Sequence, residues 1–329
     1  MEQRNLPASR PEHGQDQAEP AVPVDTARIA AVAERARSAG GDYSHPPRRR
    51  RIVLPVLLFL ATCASTFFAG ATHFRPDAYL GYEQAAWAVS SSWQQGLTYM
   101  VAVLAILLTH EMGHFLMALR HKIPASLPFF IPVPILPFGT MGAVIGMKGS
   151  EANRRQMFDL GVAGPLAGLA VALPIIYFGI RQLDAQPHAI RGMPLENPLV
   201  FRFLIDYLRP DLVSSSVYMS PLIIAGWVGL LVTGINMVPI SQLDGGHVAY
   251  ALLGRRAHVL ARGLVVSAII SILVWEAYMW VVMLTLVILM GVDHPPMVED
   301  RVPLGWPRRL IGYASLTIPI LCFPPIRVS

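Results

Sequence analysis

From residue 48 to the C-terminus, apolar runs of spanning length alternate with short segments that carry arginine. A helix rising ~1.5 Å per residue needs about 20 apolar residues to cross a hydrocarbon layer of about 30 Å. On that measure the pattern predicts spans at 52–70, 97–119, 157–180 and 220–238. The stretch 257–291 is apolar apart from His258, Arg262 and Glu276, and fits one long helix or two short ones. If Arg301, Arg308 and Arg309 are cytoplasmic, it must cross twice, at 257–275 and 277–291. The turn then falls near Trp275–Trp280, with Glu276 at the interface. A last run at 310–323 completes an all-α polytopic membrane fold of about six to seven transmembrane helices.

Basic residues flanking spans stay on the cytoplasmic side. Arg48 to Arg51 precede the first span, and Arg120 and Lys122 follow the second. Arg154 and Arg155 precede the third, and Arg255, Arg256 and Arg262 follow the fourth. All agree with a cytoplasmic N-terminus, and the second and fourth spans then both run inward. Residues 1–47 are polar and rich in Pro, Ala, Glu and Arg, without a sustained apolar face. They are expected to be a disordered cytoplasmic tail rather than a cleaved signal peptide, and residues 48–329 to be one membrane-embedded domain.

The segment 124–149, PASLPFFIPVPILPFGTMGAVIGMKG, breaks the helical pattern. It holds too much proline for a helix and is too apolar for an ordinary loop. Non-helical backbone at membrane depth is tolerated only against protein or a wet cavity. It reads as a re-entrant loop or β-hairpin beside the metal site argued below, with a strand over 139–147, or as a plain packing segment. A free strand edge there could take up an extended peptide, which makes Gly139, Thr140, Met141 and Gly142 candidate substrate-binding residues. The third span contains Gly161, Gly164, Pro165 and Gly168, a spacing that lets helices approach closely in lipid.

Charged residues make up 14% of the 329 residues, well below the roughly 25% of a soluble domain, which supports the membrane class. The net charge of +5 comes from arginines beside apolar runs, a pattern of bilayer orientation and not of nucleic-acid binding. With only Cys63 and Cys322, a disulfide framework and a cysteine-ligated metal are both excluded.

The chemistry concentrates in the second span, LTYMVAVLAILLTHEMGHFLMALR, which carries His110, Glu111 and His114 in its last third. One ionisable side chain near the centre of a span costs roughly 2.5–3.5 kcal/mol, so three together need a compensating partner. On a helix, positions i and i+4 share a face, so both imidazoles can reach one metal, with Glu111 beside a water on it. A zinc site that keeps a position for water needs a third protein ligand. Asp244, in SQLDGGH just past the fourth span, is the only acid in or beside that span. It falls at similar depth on the same side, on backbone made irregular by Pro239, Gly245 and Gly246. The reading is one Zn2+ per chain, held by His110, His114 and Asp244. Asp293 and His294, in a proline turn, read as structural.

With these residues in hand the chain resembles the site-2 protease family of intramembrane zinc metalloproteases, peptidase M50. The matching pieces are HEMGH at 110–114, GVAGPLAGL at 161–169 and NMVPISQLDGG at 236–246, in the order and separation of the family. FGTMGAVI and the DHPP turn are similar to the branch with chloroplast and bacterial EGY-like members. The resemblance implies zinc on His110, His114 and Asp244, with Glu111 as general base. It also implies that Asn236 stabilises the tetrahedral intermediate. The expected reaction is hydrolysis of peptide bonds within or next to a substrate's transmembrane segment. The expected partners are a membrane protein substrate and the lipid bilayer, with no nucleic acid, and the oligomeric state is left open. A bacterial inner membrane is the expected location. Two other classes stay open: a membrane-anchored zincin acting on soluble chains, and a non-catalytic zinc-binding membrane protein. The intact Glu111 argues against the second.

Overall fold

The computed structural model describes residues 52–75, 81–147, 152–183, 198–211, 220–275, 279–295 and 302–323. The expected tail at 1–47, the basic block at 48–51, Glu276, Arg301 and much of the 181–220 connection lie outside the described residues. Ten helices and one antiparallel hairpin are present among them: α1 (Val53–Ala71), α2 (Tyr82–Arg120), β1 (Phe129–Pro132), β2 (Thr140–Val144), α3 (Arg154–Arg181), α4 (Leu199–Leu208), α5 (Pro221–Asn236), α6 (Asp244–Leu253), α7 (Arg256–Trp275), α8 (Met279–Met290), α9 (Gly305–Ser315) and α10 (Ile318–Cys322). Four are long and apolar enough to cross a membrane, namely α1, α2, α3 and residues 256–274 of α7, and α5 is a shorter apolar helix. The protein is thus a mainly helical, multi-pass membrane protein.

The core is α2 packed against α1 on one side and α3 on the other, with α5 and α6 laid on α3. α3 starts where the sequence supplies a capping box. The Asn153 side chain accepts from the backbone of Arg155 and Gln156, and the Gln156 side chain accepts in return from the Asn153 amide. α5 starts at Ser220, whose hydroxyl accepts from the Ile223 amide, with Pro221 in the first turn. α2 stops where Lys122 takes a positive φ and the Ile123 amide returns to the Ala118 carbonyl.

Two stretches differ from the expectation. Helix α2 begins at Tyr82, well before the run at 97–119, and has a break at Ser92 (φ −128°, ψ 22°). The break falls in Ser90–Ser91–Ser92, where the Ser90 and Ser91 hydroxyls donate to carbonyls three residues back. Such bonds compete with the helical ladder and bend it. The run at 310–323 is divided between α9 and α10 by a turn at Leu316–Thr317, with Pro319 at the start of α10. Neither piece has the length of a span.

The 124–149 segment forms the hairpin. Phe129 pairs with Val144, Phe130 with Ala143 and Pro132 with Thr140, with an irregularity between Phe130 and Pro132. A further bridge joins Ala125 to Met147. The strand is therefore shorter than the expected 139–147. Its partner is drawn from the proline-rich half, where Pro132 ends the pairing. The tip of the hairpin is bolted to the helices. The Ser65 hydroxyl donates to the Gly139 carbonyl (2.5 Å) and the Tyr99 hydroxyl to the Phe138 carbonyl (2.9 Å). Gly139 has a φ of +70°, and a Cβ there would lie 2.6 Å from the Ser65 carbonyl oxygen, so no other residue fits. Phe130 packs edge-on to Phe59 of α1. The outer edge of β2 carries no third strand among the described residues.

Candidate active site

The motif at 110–114 lies in the buried middle of the α2–α3 contact. His110, Glu111 and His114 are 2%, 5% and 3% exposed, although the helix carrying them has lipid-facing length on its other side. Burial of three polar groups requires a close neighbour, and α3 supplies it by leaving side chains out. A Cβ on Gly168 would lie 3.1 Å from His110 Nδ1, and one on Gly164 would lie 2.5 Å from His114 Cε1. From the other side, a Cβ on Gly113 would lie 2.5 Å from the Ala163 carbonyl oxygen. The two helices therefore run antiparallel with His114 over Gly164 and His110 over Gly168. The small-residue run that the sequence marked for close packing is the floor on which both imidazoles rest.

One end of the His114 ring is fixed. Its Nδ1 lies 3.0 Å from the Leu160 carbonyl, which can only accept, so Nδ1 carries the hydrogen and Nε2 keeps its lone pair. That lone pair faces Asp244, with Nε2 to Oδ2 at 3.2 Å, and His110 Nε2 lies 3.4 Å from the same oxygen. Asn236 Nδ2 is 3.4 Å from His110 Nε2. Thus residues 110, 114, 236 and 244, drawn from α2, the end of α5 and the start of α6, meet at one point.

The approach of α6 again depends on absent side chains. The glycines following Asp244 are helical, so their use is proximity and not an unusual φ. A Cβ on Gly245 would lie 2.7 Å from the Val238 carbonyl oxygen, and one on Gly246 2.7 Å from that of Ile240. A Cβ on Gly161 of α3 would lie 2.9 Å from the Asp244 carbonyl oxygen. Asp244 is accordingly not on irregular backbone, as its sequence context suggested, but in the first turn of a helix. There a carboxylate is favoured by the helix dipole.

These residues fit a zinc ion. Each offers one ligand atom, and the three atoms lie within 4.8 Å of one another. Ligands about 2.0–2.1 Å from a tetrahedral zinc sit roughly 3.3 Å apart, close to both histidine–carboxylate separations. Asp244 Oδ2 is buried and has no hydrogen-bond donor among the described residues, an arrangement that is costly without a cation. Two histidines and one aspartate leave a fourth position for water or a carbonyl oxygen.

Gly139, Thr140, Met141 and Gly142 lie at the turn into β2 and along its first residues. Their hydrogen bonds run to α1 and within the hairpin. The Thr140 hydroxyl donates to the Ile131 carbonyl, and the Gly142 amide donates back to that hydroxyl. Gly142 faces Val232 of α5, where a Cβ would lie 4.0 Å from Cγ1. Met141 and Val144 are exposed.

Three features had no counterpart in the sequence reading. One is the Leu160 carbonyl that fixes His114. Another is an ionic network at the end of α2, where Asp159 of α3 bonds His121 (3.1 Å) and Arg308 of α9 (2.8 and 3.0 Å). Those bonds, ahead of the charge itself, hold the Arg308 guanidinium above its ordinary pKa. The last is a contact between residues 241–247 and 291–295. Spacing marked none of the three, since Asp159 stands two residues before Gly161 and so on a different face of α3.

A family model described as peptidase family M50 matches residues 98–275, which include His110, Glu111, His114, Asn236 and Asp244. The chain is 30% identical over 240 residues to a probable zinc metalloprotease EGY1, chloroplastic, from Arabidopsis thaliana, covering 68% of this chain and 42% of the relative. It is 31% identical over 252 residues to the protein of the same name from Oryza sativa subsp. japonica, covering 71% and 41%. With a probable zinc metalloprotease EGY2, chloroplastic, from Arabidopsis thaliana it shares 29% over 197 residues, 58% of this chain and 35% of the relative. The chain thus spans less than half the length of these curated relatives, and no solved structure matches it. A histidine pair and an aspartate brought together between glycine-floored helices, in a stretch matched by that family model, make this chain a member of peptidase family M50, the site-2 protease family its motifs resemble.

Proposed function

We propose that the protein is an intramembrane zinc metalloprotease that hydrolyses peptide bonds within or next to transmembrane segments of membrane proteins. The observation that carries this reading is the convergence of His110, His114 and Asp244 around one point, with both histidines on a helix long enough to span. From Arg120, at the end of α2, His110 lies ten residues back, roughly 15 Å along the helix axis. That is about half the hydrocarbon thickness.

His110, His114 and Asp244 would hold the ion. Bound there, zinc supplies Lewis acidity, polarising a carbonyl and bringing the pKa of a water down to about 7. Glu111 takes a proton from the attacking water as its oxygen bonds to the scissile carbon, and returns it to the nitrogen as the C–N bond breaks. The Asn236 amide, beside His110, donates to the oxygen that becomes negative. The free edge of β2 accepts an unwound substrate segment as a further strand, with Met141 and Val144 contacting its side chains.

Crossings at α1, α2, α3 and α5, two more through α7 and α8, and a seventh element formed by α9–α10 give the proposed topology of six to seven spans. The N-terminus is then cytoplasmic, in a bacterial inner membrane. Glu111→Gln tests the reading. The variant is expected to keep one zinc per chain and to lose cleavage of a fluorogenic transmembrane substrate. Cleavage that persists would refute the role of Glu111.

A further inference from the structure

Residues 236–247 carry the proposed oxyanion donor at one end and the proposed third ligand near the other, with a turn between them. That turn is stitched to residues 291–295, which follow α8. The Ser241 amide donates to the Val292 carbonyl (3.1 Å), and the Ser241 hydroxyl donates to the Gly291 carbonyl. Ser241 is 2% exposed with a φ of +55°, a left-handed backbone that is unfavourable for a non-glycine residue. It is retained where its two hydrogen bonds offset that cost.

A second stitch lies one helical turn beyond Asp244. His247 Nδ1 is 2.7 Å from His294 Nε2, and His294 Nδ1 is 2.5 Å from the Pro295 carbonyl. The carbonyl only accepts, so Nδ1 of His294 carries a hydrogen. A neutral His294 then presents a lone pair on Nε2, and the hydrogen between the rings belongs to His247. Burial first, and then the neighbouring His294, push the His247 imidazole down to about 4, in keeping with a neutral ring. The ring of His294 stacks on Tyr250, with centroids 4.6 Å apart. The segment is tied in turn to α7, where Arg262 holds Asp293 through two hydrogen bonds of 3.1 and 2.5 Å.

Positions i and i+3 of a helix share a face, so fixing His247 fixes the face that carries Asp244. On the opposite side Gly161 of α3 closes on both residues. A Cβ there would lie 2.9 Å from the Asp244 carbonyl oxygen and 3.0 Å from His247 Cβ. The first turn of α6 is therefore wedged between α3 and residues 291–295.

We infer that residues 291–295 form a clasp that sets the position of the Asp244 carboxylate, with His294 as a positioning residue acting through His247. The inference rests on the zinc reading of His110, His114 and Asp244. Partners that orient a ligand typically contribute 10–100-fold to metal affinity.

The test uses the full chain in detergent. Zinc release to excess chelator is timed, and the visible spectrum of the cobalt-substituted protein is recorded. His294→Phe keeps a ring to stack on Tyr250 and removes both hydrogen bonds. It is expected to speed zinc release at least ~10-fold and to shift the cobalt bands. His294→Gln, whose amide oxygen can accept from His247, is expected to restore slow release. Native release and an unchanged spectrum in His294→Phe would overturn the clasp alone. Should that variant not accumulate as folded protein, Ser241→Ala carries the test. It removes one side-chain hydrogen bond and is expected to speed release severalfold, and native release there would equally overturn the clasp. A native chain that binds no zinc would instead overturn the metal reading, and the clasp with it.

Discussion

Gly164→Ala adds one methyl group where α3 meets the metal site, and its effect can be worked from geometry. The added carbon would stand 2.5 Å from His114 Cε1, and closer still to Cδ2 and Nε2. Ordinary contact between carbon atoms is about 3.5–4.0 Å, so the ring or the helix must move by about 1 Å or more. The ring is not free to turn away, because its Nδ1 is held by the Leu160 carbonyl. The helix cannot back off without giving up the close contact with α2 at Gly113, where a Cβ would lie 2.5 Å from the Ala163 carbonyl oxygen. Metal–ligand distances tolerate about 0.2 Å, so a displacement of this size removes His114 as a ligand. A misplacement of ~1 Å costs on the order of 10²-fold in rate. Zinc per chain by elemental analysis should fall well below one, and cleavage of a transmembrane substrate should fall at least ~10²-fold. Gly168→Ala grades the argument. Its carbon would stand 3.1 Å from His110 Nδ1, which asks for a few tenths of an ångström and a correspondingly smaller loss. Gly263→Ala meets nothing within 4 Å and should match the native chain. Full zinc and native cleavage in Gly164→Ala would refute the placement of His114 against α3.

Other substitutions separate the remaining parts. Asn236→Ala is expected to keep zinc and lower kcat by about 10²-fold, with KM little changed, in steady-state assays. Replacing residues 139–147 by a Gly/Ser stretch should raise KM sharply while zinc is retained, and unchanged cleavage would remove the docking role of β2. Asp159→Asn weakens the joint between α2, α3 and α9, and should lower stability in thermal unfolding by about 1–3 kcal/mol. A double-mutant cycle with Arg308→Met should show that most of this loss is shared. Stripping zinc with a chelator should lower the unfolding midpoint, and restored zinc should recover it.

The helices were legible because the lipid solvent imposes one rule on length and polarity. What the rule does not contain is where a helix must bend or stop. The start of α2 at Tyr82 was missed because residues 82–96 mix serine, glutamine and tryptophan, which average to a loop composition. Their exposed Trp87 and Trp93 suit an interfacial stretch of helix instead. In 310–323 a single proline, Pro319, outweighs a sufficient apolar average. For the hairpin, the glycines of 139–147 marked β2. β1 was hidden because three prolines, Pro128, Pro132 and Pro134, fall within or beside its four residues.

The site divides along the same physical line. His110, Glu111 and His114 were readable because i and i+4 spacing is a property of the helix itself. Asp244 was readable because it is the only acid in or beside the fourth span. The supports were not readable, for backbone carbonyls such as Leu160 leave no mark in a sequence, and nothing local connects Ser241 with Val292. These supports matter more here than in a soluble enzyme. In water, a ligand released from its partner is resolvated at little cost. At membrane depth an unpaired polar group costs several kcal/mol, so it is either held by protein or bound to the metal. His110 Nδ1 is the exception, buried without a partner among the described residues. Glycines on α3, a carbonyl of the same helix and the 291–295 segment therefore belong to the zinc centre as much as its ligands do. Substitutions at these supports are expected to register in zinc binding before they register in folding.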